Sequence, residues 1–142
     1  MPELPTLRVA IVGCGTHGAQ CAALLENARL VVTCDRDPRR AAALAAQAHA
    51  CFATNDLAEA LSFLPDAVII ATPPKHLHLI ALESIQAGSH LFLHLSQDPK
   101  PADLDAVLVL AQRARRTVMM KTMELAPVMA AFLMRVREFV AR

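Results

Sequence analysis

The sequence predicts an α/β protein built on a doubly wound, mostly parallel six-stranded sheet with helices on both faces, a three-layer αβα arrangement. Three observations predict it. Apolar runs of strand length alternate with helix-like stretches along the whole chain. Those runs are apolar at successive positions, as in parallel strands covered on both faces, where a half-exposed strand would alternate. Three of the four glycines fall within six residues, between the first strand and the first helix. A length of 142 residues fits a single domain, residues 1–142, with a core that needs no disulfide or metal.

Residues 7–12 read as the first buried strand, and a helix begins across 19–25. The second strand is 30–34. Pro38 stands where a helix opens, and the Ala-rich stretch 39–49 continues it. A short third strand covers 50–53, and Asp56 caps a short helix that ends near Phe63. Residues 67–71 form the fourth strand, fully apolar and partly β-branched. Pro73 and Pro74 break the chain before a helix over 75–87 that stops at Gly88. The fifth strand is 91–93. Pro99 and Pro101 then open a helix, with Asp103 near its N-terminus, that runs to about Arg115. Strand six is 118–120 and the last helix is 127–140. Six strands in this alternation match the order 3-2-1-4-5-6.

Composition excludes several classes. With 55% hydrophobic and 19% charged residues the chain is not disordered. A net charge of +1 gives no footprint for a polyanion, and aromatics at 4%, all Phe, give no stacking platform for single-stranded nucleic acid. No run reaches the ~20 apolar residues that span a bilayer, and the first residues lack a signal core, which predicts a cytoplasmic protein. Cys14, Cys21, Cys34 and Cys51 have no CxxC spacing and read as free, mostly buried thiols. Basic residues gather from Arg113 to Arg142 and read as a solvated helix face.

The run Gly13-Cys14-Gly15-Thr16-His17-Gly18 is G-x-G-x-x-G between a strand and a helix. Gly13 suits a tight turn, Gly15 lets a pyrophosphate approach the backbone, and Gly18 lets the helix pack close to the strand. The helix N-terminus, with Thr16 and His17, offers N–H groups and a positive dipole end to phosphates. Asp35 ends the second strand twenty residues after Gly15, where a carboxylate accepts hydrogen bonds from the adenosine ribose. The alternative for Asp35 is a turn residue in Asp35-Arg36-Asp37-Pro38. Its charge favours NAD, because it repels a 2′-phosphate; Arg36, Arg39 and Arg40 would offset that and admit NADP. An S-adenosylmethionine domain shares the glycine-rich loop and the acid, and the third glycine favours the dinucleotide.

The chain resembles the Gfo/Idh/MocA oxidoreductases from residue 7 to about 140. The resemblance rests on Val9-Ala10-Ile11-Val12-Gly13-Cys14-Gly15, Cys34-Asp35-Arg36-Asp37-Pro38, Ala71-Thr72-Pro73-Pro74 and Ala87-Gly88-Ser89-His90-Leu91-Phe92-Leu93. It implies a Rossmann cofactor domain in which Thr72 and Pro73 lie over the nicotinamide side. It implies hydride transfer to or from a sugar- or polyol-type hydroxyl or carbonyl carbon in complete members. Three family positions are altered: the Glu-Lys-Pro motif aligns with His94, Leu95 and Ser96, the helix histidine with Leu77, and an arginine before the last helix with Glu124. Leu95 donates no proton, and the family's C-terminal substrate domain is expected to be absent. His94, at a strand's carboxyl end, is the candidate general acid in place of the missing lysine. The alternatives are a non-catalytic nucleotide-sensing or regulatory subunit, and a module with a vestigial glycine loop.

Other constellations carry less. His76, His78, His90 and His94 suit zinc in number, but no pair lies four apart on a helix, His90 and His94 being read on a strand, and no metal is expected. Cys14 reads as a small residue fitting a turn. Met129, Phe132, Leu133, Val136 and Val140 form a helical stripe that, without a second domain, is expected to face a second copy or a partner chain.

Overall fold

A computed structural model describes residues 5–121 and 124–142. Its six strands are β1 (Leu7–Val12), β2 (Ala28–Cys34), β3 (Phe52–Thr54), β4 (Ala67–Ile70), β5 (His90–Leu93) and β6 (Val118–Met120). The helices are α1 (Thr16–Ala22), α2 (Pro38–Ala48), α3 (Leu57–Leu61), α4 (Leu77–Gln86), α5 (Pro101–Ala114) and α6 (Leu125–Val140). The strands pair in parallel in the order β3-β2-β1-β4-β5-β6, the doubly wound order expected.

Side chains alternate along each strand and build two cores. Ala10, Val12, Val68, Ile70, Leu91 and Leu93 meet Ala60, Leu61, Leu77, Ile80, Ala81, Val107 and Ala111 of α3, α4 and α5. Val9, Ile11, Ala67, Ile69 and Phe92 meet Cys21, Ala41, Leu44, Met129, Phe132, Leu133 and Val136 of α1, α2 and α6. One irregularity breaks the alternation: Val9 pairs with Leu30 and Ala10 with Val32, so Val31 is an extra residue in β2. The shift brings Val12 level with Cys34, and β4 continues the row with Ile70.

Local chemistry sets the helix boundaries. Asp37 and Asp56 cap α2 and α3, accepting the N–H of Arg39 and Ala58 at 3.0 Å each. α1 begins directly at Thr16 and ends at Ala22, earlier than its apolar run suggests; Leu24 and Leu25 donate to Cys21 and Ala22 in tighter turns, and Asn27, with φ 51°, then precedes β2. α6 starts at Leu125, so Pro127 sits in its first turn, where a missing N–H leaves no bond unmade.

Two expectations are corrected. Met129, Phe132, Leu133 and Val136 are buried on the chain's own sheet and present no surface; of that stripe Val140 alone is exposed. The basic run is not uniformly solvated either. Arg116 donates to the carbonyl of Gly88 at 2.9 Å and lies over the Phe139 ring at 5.1 Å. Arg137 is 5% exposed and donates to the carbonyl of Glu26. No helix among the described residues is long and apolar enough to cross a membrane.

Phe132 packs edge-on against Phe92 with ring centroids 5.4 Å apart and is fully buried. Phe132→Ala is therefore expected to lower stability by about 3–5 kcal/mol, measured by urea unfolding. A change under about 1 kcal/mol would mean that α6 does not seal this face.

Candidate functional site

The carboxyl ends of β1, β2 and β4 meet where the strand order reverses, the place at which open α/β sheets bind ligands. Gly13 turns the chain out of β1 with φ +99°, and its N–H donates to the Cys34 carbonyl at 2.8 Å. A Cβ at Gly13 would lie 2.6 Å from the Ala71 carbonyl group, so β1 and the segment after β4 approach too closely for a side chain. A Cβ at Gly18 would collide with the Gly13 carbonyl oxygen, which is how this glycine brings α1 against the turn. Gly15 differs from both. Its φ of −84° suits any residue, and a Cβ there would meet nothing, standing in open space.

That space belongs to a cleft of about 620 Å³ lined by Gly13, Gly15, Asp35, Arg36, Asp37, Arg40, Asn55, Thr72, Pro73, Lys75 and His76, among others. Asp35 clasps its rim. One carboxylate oxygen accepts the Cys14 N–H at 2.8 Å and the other the Asp37 N–H at 2.8 Å. The turn reading and the ligand reading of Asp35 therefore describe one residue, since each oxygen keeps a lone pair for a further donor. Thr72 Oγ1 is buried without a partner, and it lies in the segment that lines the cleft. An open Gly15, an unpartnered hydroxyl and a cleft of this size fit a nucleotide with a pyrophosphate.

The remaining expected site residues are placed elsewhere. Thr16 opens α1 and is exposed. His17 turns to His94, ring centroids 4.5 Å apart and edge-on. His94 follows β5, is 2% exposed, and lines a smaller pocket of about 170 Å³ with Leu95, Gln97, Asp98, Pro99, Met120 and Lys121. Its Nε2 pairs with Gln20 Oε1 at 3.0 Å, and Nδ1 is buried without a partner. Burial, then the neighbouring His17 and Lys121, push its pKa down to about 4. That environment favours the neutral imidazole, which still carries one N–H donor.

The other histidines find separate places. His90 is buried, accepts the Thr117 N–H at 2.9 Å through Nδ1 and packs edge-on against Phe139. Burial and then Arg116 hold its pKa at about 4. His76 meets Arg36 across the cleft, Nδ1 to guanidinium 3.2 Å, a contact with no signal in either local motif. Among the described residues no group of three His, Cys, Asp or Glu could hold a metal. Cys14 donates its S–H to the Cys34 carbonyl at 3.3 Å, as a small residue filling the turn. Burial pushes the thiols of Cys14 and Cys21 up to about 12 and that of Cys34 to about 11.

Fold and cleft define a Rossmann domain of the dinucleotide-binding class. The Gfo/Idh/MocA model, described as "Oxidoreductase family, NAD-binding Rossmann fold", matches residues 7–122, and the chain belongs to that family. Among solved structures it is similar to GenD2 from gentamicin A biosynthesis in complex with NAD: 26% identity, TM-score 0.76, covering 84% of this chain and 35% of that one. It is also similar to UDP-N-acetylglucosamine 3-dehydrogenase GnnA from Acidithiobacillus ferrooxidans, at 26% identity and TM-score 0.70, covering 80% of this chain and 37% of that one. An NAD binding oxidoreductase from Klebsiella pneumoniae shares the fold at 23% identity and TM-score 0.72, over 81% of this chain and 34% of that one. The chain thus spans about a third of the length of these structures. No curated protein matches its sequence.

Two predictions follow from the buried groups. In the native protein iodoacetamide is expected to label Cys51, which is exposed, and to spare the other three thiols; mass spectrometry of the digest reads this. His90 and His94 titrate near 6.5 when unfolded and near 4 when folded, so the unfolded chain binds more protons between those values. Their contribution is complete above pH 6.5 and is lost as pH falls toward 4. Urea midpoints should therefore drop from neutral to mildly acidic pH, and less steeply in a His90→Gln/His94→Gln variant.

Proposed function

We propose that this chain is the cofactor-holding part of a Gfo/Idh/MocA oxidoreductase and binds NAD or NADP in the cleft between β1, β2 and β4. The observation that carries this is Gly15, open to solvent at the head of a 620 Å³ cleft in which a glycine is not needed for backbone reasons. Gly15 and the amides opening α1 would hold the pyrophosphate, Asp35 the adenosine ribose, and Thr72 and Pro73 the nicotinamide side. Bound there, the cofactor supplies or accepts a hydride. The protein's part is to bind, orient and keep water from the reacting face. The partner of that hydride would be a hydroxyl or carbonyl carbon of a sugar or polyol. A second copy or partner chain would meet the exposed Met134, Phe139 and Val140.

A second reading is a nucleotide-sensing subunit without turnover. Leu95 favours it. At the position of the family lysine it packs against the α4/α5 core, and it has no proton to give.

Calorimetric titration with NADH and NADPH tests the reading. Micromolar binding to at least one is expected, and Gly15→Val should weaken it about tenfold or more while thermal stability is unchanged, since the added side chain enters open space. Binding that survives Gly15→Val, or no binding to either nucleotide, would leave the loop purely structural.

A further inference from the structure

Two long-range contacts converge on one ring. His94 follows β5, where its backbone N–H donates to the Ile70 carbonyl at 2.9 Å, and the residue is 2% exposed. It is thus fixed to the end of the sheet. Against it lie two residues of α1. The ring of His17 meets it edge-on with centroids 4.5 Å apart, and Gln20 Oε1 pairs with its Nε2 at 3.0 Å. His17 and Gln20 are three apart on the helix and so share one side of it. An amide oxygen only accepts, so Nε2 carries the ring proton and Nδ1 the lone pair. A second proton, on the buried and unpartnered Nδ1, would place a cation beside His17 and Lys121. Burial and those neighbours favour the neutral ring, and the bond to Gln20 keeps a fixed donor.

α1 has few other holds. It is seven residues long, and only Gly18 and Cys21 of it are buried. Gly18 brings the helix against the Gly13 carbonyl, and Cys21 packs among apolar groups of the core. Neither makes a directional side-chain contact that would fix the rotation of the helix about its axis. His17 and Gln20 make two, and both end on His94.

We propose that His94 is a positioning residue for the dinucleotide: through His17 and Gln20 it holds α1, and with it the backbone of residues 15–17, in place beside the cleft. This role rests on the dinucleotide reading above and deepens it. His94 does not line the 620 Å³ cleft, so it acts on a ligand there only through the helix. The path is short. Gly15 lines the cleft and directly precedes α1, so a rotation of the helix moves the loop that would meet the pyrophosphate. A loop set in place before binding avoids the ordering cost that a mobile one incurs on association.

The test is calorimetry of the full chain with NADH and NADPH, following whichever the wild type binds more tightly. The variants are Gln20→Ala, His94→Ala, His94→Gln and Gln20→Ala/His94→Ala. Gln20 is exposed, so its substitution removes the bond without opening the core, and thermal melting checks that each variant is folded. Gln20→Ala should weaken binding about threefold to tenfold, and His94→Ala about tenfold or more. The double variant should bind no more weakly than His94→Ala, because both substitutions remove one tie. His94→Gln keeps an N–H donor for Gln20 Oε1 and should recover most of the loss. A role in stability alone would lower the melting temperature of both His94 variants without separating their affinities. Affinities within about twofold of wild type in both single alanine variants overturn the positioning role and leave the dinucleotide reading standing. So do additive losses, or a His94→Gln variant as weak as His94→Ala. Failure of the wild type to bind either nucleotide overturns both.

Discussion

The Asp35 carboxylate is the contact on which the cleft depends. Its two oxygens tie Cys14, inside the glycine turn, to Asp37, the residue that caps α2. One side chain at the end of β2 thus fixes the position of the loop after β1 and the start of the next helix. The tie is made in partly buried surroundings, where a lost acceptor would strand two backbone donors, so a change here damages the shape of the rim as well as its charge. Gly13 supports the same arrangement from the other side, because β1 can lie against the segment after β4 only if no side chain intervenes.

The fold was legible because its signals were redundant. Six apolar runs, their alternation with helices and the glycine loop all pointed to one strand order, and that order is the one found. What was not legible is as informative. The extra residue Val31 in β2 has no marker, since it sits in an uninterrupted run of apolar residues where either register would bury the same side chains. α1 ends before its apolar run does, and the turns at Leu24 and Leu25 that follow it carry no glycine or proline to mark them. The stripe on α6 has the spacing of a helix face, but spacing does not say whether that face meets its own sheet or a partner.

The site divides in the same way. Gly13, Gly15, Asp35, Arg36, Thr72 and Pro73 could be placed together from motif and topology, and they line one cleft. His17 and His94 stand on the elements expected of them, but their contact was not legible, since it joins residues far apart in sequence. His94, expected at the carboxyl end of its strand, follows β5 and meets His17 and Gln20 beside the smaller pocket. The pairing of Arg36 with His76 is likewise long-range, across forty residues.

The buried Arg137 bears on how the molecule is made. Its guanidinium closes on the carbonyl of Glu26, across a separation of 111 residues. β1 precedes the other described elements in the chain yet lies in the middle of the sheet, and one of its faces is completed by α6, the furthest from it in sequence among them. Until that helix arrives, Leu7, Ile69 and Phe92 border an open apolar surface. A chain emerging from the ribosome therefore cannot close its central strands step by step. It must hold the early units loosely and consolidate them late, in the slow regime typical of non-local parallel pairing.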